Sequence, residues 1–156
     1  MKTVLILVGK TQNKVFKMGI DEYVSRIGHY IPFSIIIIPE LKNTKSLSEE
    51  QQKQKEGELI LKEIHPGDTV VLLDEHGMEL RSVEYAKWLK QKQNIARRLV
   101  FIIGGPYGFS PNIYARSNEK ISLSRMTFSH QMVRLIFTEQ LYRACTIIKG
   151  EPYHHE

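Results

Sequence analysis

A single cysteine, Cys145, stands among the 156 residues, so an intrachain disulfide and a cysteine-based zinc site are both excluded. Its neighbours follow a helical pattern, which predicts a small buried side chain in a reducing compartment. Long hydrophobic runs are missing too. Stretches such as Ile35–Ile38 are far too short to span a bilayer, and the opening Met1–Val8 carries no signal-type cleavage region. A cytoplasmic protein without a membrane segment is expected. The dinucleotide fingerprint is absent, because Gly9-Lys10-Thr11 follows the first predicted strand where G-x-G-x-x-G would stand. The same tripeptide lacks the earlier glycine that a phosphate loop requires, which argues against ordinary NAD or ATP binding. Asp74 and Glu75 are not spaced to share a metal with any histidine, so no metal site is expected.

What is present is an alternation of strand-length apolar runs with helical segments, the pattern of an α/β domain with a mostly parallel sheet and flanking helices. One domain over residues 1–156 suits this length. Five strands are predicted, at Thr3–Val8, Phe33–Ile38, Thr69–Leu73, Leu99–Ile103 and Lys120–Leu123. Phe16, Ile20, Val24 and Ile27 mark the first helix. Ser46-Leu-Ser-Glu49 reads as a capping box opening a second, solvated helix rich in Lys, Gln and Glu. A third helix begins near Ser82, Ser110-Pro111 opens a short fourth, and a long amphipathic helix covers His130–Ile147.

The most informative segment is Val100-Phe-Ile-Ile-Gly-Gly-Pro-Tyr-Gly-Phe109, an apolar strand running into a glycine turn. Gly104, Gly105 and Gly108 leave bare backbone where a ligand can approach, and a larger side chain at Gly105 is expected to fill the ligand's space. In a parallel sheet, the strand ends at Leu73-Asp74, Ile103-Gly104 and Leu123-Ser124 gather at one edge, where open α/β sheets bind ligands. A net charge of +5, from 22 Lys and Arg against 17 Asp and Glu, is compatible with a polyanionic partner. Tyr153 and His154, with Arg116, Arg125, Arg134 and Arg143, form a candidate aromatic-plus-cation set for an unpaired RNA base and its phosphates.

Leu72-Leu-Asp, Phe101-Ile-Ile-Gly-Gly-Pro-Tyr-Gly, Ser122-Leu-Ser-Arg-Met-Thr-Phe-Ser-His, Leu141-Tyr-Arg-Ala and Pro152-Tyr-His-His-Glu occur in that order. Taken together they resemble the bacterial RlmH family, SPOUT-superfamily methyltransferases acting on a pseudouridine of 23S ribosomal RNA. The resemblance covers the whole chain. It implies a C-terminal trefoil knot, S-adenosylmethionine as methyl donor, a homodimer packed near the knot, and methylation at N3 of the pseudouridine on the assembled ribosome. Carried over by motif, the donor contacts are Leu73, Gly105, Leu123, Ser124, Arg125, Met126, Thr127 and Phe128, with Gly104 a neighbour. Tyr153 and His154 are implied near the RNA base; His154, and after it His130, are the candidates for taking the proton from N3. A SPOUT enzyme acting on transfer RNA and a non-catalytic RNA-binding factor are the alternatives.

Overall fold

The computed structural model describes residues 1–156. Five strands and five α-helices alternate: β1 (Lys2–Val8), α1 (Lys14–Ile27), β2 (Phe33–Ile38), α2 (Glu49–Leu61), β3 (Thr69–Glu79), α3 (Ser82–Ile95), β4 (Arg98–Ile103), α4 (Pro111–Arg116), β5 (Glu119–Ser122) and α5 (Met132–Lys149). The strands form one sheet in the order β2-β1-β4-β3-β5, and every pairing is parallel. All five strands therefore end at the same edge.

Alternation along the strands builds a core on each face. Leu5, Leu7, Leu99, Phe101 and Ile103 point toward α1, α3 and α5, whereas Val4, Ile6, Val100 and Ile102 point toward α2 and α4. On the first face the Phe101 and Phe137 rings lie 4.9 Å apart and Trp88 tilts against Phe101, so α3, β4 and α5 share one aromatic contact. Cys145 is buried in that layer, and burial pushes its thiol up to about 12. No helix is long and apolar enough to cross a membrane.

Two local expectations are corrected. The capping box belongs to Ser48 and Gln51: the Ser48 hydroxyl accepts from the Gln51 N–H and the Gln51 side chain accepts from the Ser48 N–H, while Thr44–Ser46 forms a single 3₁₀ turn. The segment Asp74–Gly77, expected as a strand end, is a break in register inside β3, which resumes pairing with β5 at Met78 and Glu79. Gly77 is required there because a Cβ would lie 2.6 Å from the Ile121 nitrogen of β5.

Candidate functional site

A crevice of about 730 Å³ opens at the carboxyl edge of β4, β3 and β5. Leu73, Gly104, Gly105, Leu123, Ser124, Met126, Thr127 and Phe128 all line it, so the three loops singled out in the sequence converge on one space. Arg125 departs from the expected set. Its side chain is 86% exposed and Nε donates to Glu79 at 2.9 Å, so it stands outside the lining. The glycine turn is closed by the Gly108 N–H donating to the Gly105 carbonyl at 3.1 Å, and Phe109 anchors it by turning into the core. In the last loop, the Met126 N–H donates to the Ser124 hydroxyl, which folds the segment and leaves the Met126 side chain at the mouth, 79% exposed.

The need for glycine at position 105 has a cause within the chain itself. A Cβ there would fall 2.4 Å from the Glu56 Oε1 of α2, so the missing side chain makes room for a carboxylate. Glu56 and Lys53 went unrecognised because α2 reads as a solvated helix. The available signal was spacing: Lys53, Glu56, Gly57 and Ile60 fall at i, i+3, i+4 and i+7 and so share one face. Lys53, Asp74 and Glu75 all line the crevice, which places charge of both signs around it. The Tyr114 hydroxyl donates to Asp74 at 2.5 Å; burial and that bond push the phenol up to about 12.

His130 lines the crevice, and one of its ring nitrogens is engaged by a neighbouring arginine. Nε2 lies 3.1 Å from the Arg134 Nη2, and the ring also bonds the Val8 carbonyl. Arginine has no acceptor, so Nε2 accepts and Nδ1 carries the hydrogen. Burial, followed by the Arg134 charge, pulls the imidazole below its usual range. In that arrangement the Nε2 lone pair faces Arg134 and the ring is neutral.

The expected arginine set is not assembled. Arg134 is 1% exposed and spends its donors on the Val8 and Gly9 carbonyls and the Thr11 hydroxyl, which removes it from any RNA-facing surface. Arg116 bonds the His65 and Asp68 carbonyls at the opposite, amino edge of the sheet. Arg143 alone joins the tail: its guanidinium carbon lies 4.7 Å from the centre of the Tyr153 ring, and Nη1 lies 3.0 Å from the His154 Nδ1. Glu139 completes the cluster by accepting from Arg143 at 2.7 Å and from the Tyr153 hydroxyl at 2.9 Å. Burial, with bonds to Tyr23 and Glu139, raises the Tyr153 phenol well above its usual range. Nδ1 of His154 must accept from Arg143, so the neutral ring carries its hydrogen on Nε2, which is buried without a partner. None of these tail residues lines the crevice of its own chain.

A family model described as "Predicted SPOUT methyltransferase" matches residues 1–154. Three relatives, each named "Ribosomal RNA large subunit methyltransferase H", align over the full length of both chains. They come from Phocaeicola vulgatus at 64% identity, Bacteroides fragilis at 62% and Porphyromonas gingivalis at 53%.

Proposed function

The chain belongs to the SPOUT methyltransferase family, and from that premise we propose that it methylates 23S ribosomal RNA, using S-adenosylmethionine as donor and N3 of a pseudouridine as acceptor. The name shared by relatives of equal length supports ribosomal RNA as the substrate. The observation that carries the donor assignment is the convergence of the Leu73, Gly104–Gly105 and Leu123–Phe128 segments on one crevice. Its chemistry fits this molecule. Leu73, Met126 and Phe128 offer apolar contact for an adenine, Asp74 and Glu75 complement its positive groups, and Lys53 complements its carboxylate.

When bound, the donor supplies an electrophilic methyl group on a sulfonium. The work left to the chain is orientation and charge. Holding donor and acceptor in line replaces an encounter in solution, a contribution of up to about 7–11 kcal/mol in well-oriented systems, without metal or covalent intermediate. The acceptor nitrogen is protonated at neutral pH; that proton passes to solvent as the methyl is transferred, and the imide anion so formed needs hydrogen-bond donors. His154 supplies one at Nε2–H once contact with the RNA uncovers that atom, and Arg143 holds the ring in the donating tautomer with a positive charge behind it. Because the tail stands apart from its own crevice, we assign this role to the tail of a second copy, in a homodimer. The same reading carries one domain over 1–156, a C-terminal trefoil knot and action in the cytoplasm, where ribosomes are.

The test is transfer of label from S-adenosylmethionine to intact ribosomes, isolated ribosomal RNA and bulk transfer RNA. Label in the large-subunit RNA of intact ribosomes is expected. Label in transfer RNA alone overturns the substrate, and no transfer to any of them overturns the activity.

A further inference from the structure

Glu56 is a buried carboxylate on the inner face of α2, beside Gly57 and Ile60: its residue is 6% exposed, and the nearby lysine of α2, Lys53, pairs with Glu50 at 3.0 Å. An acid in such a place is costly unless something bonds to it. What lies against it is the glycine turn, with the Gly105 N–H within bonding reach and the space of the Gly105 Cβ filled by the carboxylate itself. One residue further on, a Cβ at Gly57 would fall 2.4 Å from the Ser110 hydroxyl, so α2 also touches the far end of the same segment. The pair Glu56-Gly57 thus grips residues 104–110 at both ends, on the side of the sheet away from α5.

We infer that Glu56 is a positioning residue for the methyl donor, fixing the Gly104-Gly105 peptide so that its carbonyl faces the crevice. The peptide is planar and trans, so directing the Gly105 N–H toward α2 turns the Gly104 carbonyl the opposite way. Both glycines line the crevice, so that carbonyl becomes an acceptor for an amino group of the donor. The Gly105–Gly108 bridge closes this turn, and Glu56 adds the side-chain contact at Gly105 that sets it against α2. The carboxylate selects one orientation in advance, and a preorganised acceptor binds more tightly because no ordering remains to be done on association. Glu56 touches neither donor nor RNA in this role.

The inference rests on the crevice being the donor site, and the experiment separates the two. S-adenosylmethionine is titrated calorimetrically into the wild-type protein and the variants Glu56→Ala, Glu56→Gln and Glu56→Asp, and KM for the donor and for ribosomes is measured on each. Glu56→Gln keeps an oxygen for the Gly105 N–H and is expected to bind within about threefold of wild type. Loss of one hydrogen bond to a charged acceptor predicts about tenfold or more weaker binding in Glu56→Ala and in Glu56→Asp, whose shorter side chain withdraws the carboxylate. The rise in KM should fall on the donor alone. If Glu56→Ala fails to fold, the contrast between Gln and Asp decides. Wild-type affinity in both Ala and Asp, or a matching rise in KM for ribosomes, overturns the positioning role; no binding by the wild type overturns the donor site instead.

Discussion

Arg134 joins the start of α5 to the end of β1. Its Nη2 donates to the Val8 carbonyl at 2.7 Å and its Nη1 to the Gly9 carbonyl at 2.9 Å, while the same fork holds His130 at the crevice wall. A lysine has one nitrogen in place of three, so Arg134→Lys leaves at least one of these buried acceptors without a donor. The variant is expected to lose about 3 kcal/mol of unfolding free energy, measured by denaturant titration, and unchanged stability would refute the assignment. The sequence suggested an RNA contact because arginines are mostly exposed. Its position told otherwise: Phe137, Thr138 and Leu141 follow at i+3, i+4 and i+7, all buried, which puts Arg134 on the inner face of α5. His154 is a similar case. Its place in the closing motif was visible, but its tautomer depends on Arg143, eleven residues earlier, and only the return of the tail onto α5 sets it.

At the other edge of the sheet, β3 and β4 are stapled together where they begin. Arg98 donates to Asp68 through Nε at 3.0 Å and Nη2 at 2.6 Å, and Nη2 also reaches the Glu63 carbonyl. Burial would raise the Asp68 carboxyl, but the Arg98 fork and the His65 N–H outweigh it and hold the group below its usual range. A carboxyl depressed in the folded state stabilises above its unfolded value of about 3.9 and loses that contribution as pH falls through the folded value. Asp68→Asn strands the guanidinium and is expected to cost about 3 kcal/mol at pH 7, with the gap from wild type narrowing below about pH 4. Denaturation curves across pH check both the size and the trend. All five strands and five helices were legible, most from the repeat of the face each buries, α2 from a capping pattern and α4 from Ser110-Pro111. The continuation of β3 past Leu73 was not, because Asp74, Glu75, His76 and Gly77 are poor strand formers that bulge out of register, and only the pairing of Met78 and Glu79 with β5 carries the strand on. Helix α2 was legible as a helix but not as a support, since its inner face is built from Glu56 and Gly57, residues that read as solvent-facing.

Across the whole molecule, the crevice and the tail cluster are separate places on one chain. Parallel pairing puts the donor loops at the carboxyl edge, and α5 then carries the chain away before residues 151–156 fold back against α1 and α5, with Tyr30 bonding Glu151 and Tyr153 packing on Tyr142. Deleting Tyr153–Glu156 removes nothing from the crevice, so donor affinity should stay within about twofold of wild type while methyl transfer to ribosomes is lost. Full activity in the truncated chain would return the tail to a packing role. The convergence of the loops was foreseeable from the order of apolar runs and glycines; the separation of tail from crevice was not, because it depends on how far α5 runs and on where the chain turns at Gly150. The most direct test of the donor site is a crystal structure of the protein grown with S-adenosylmethionine. Density for the donor bounded by Leu73, Gly105 and Met126 is the expected result, and a donor bound elsewhere, with that crevice filled by side chains, would contradict it.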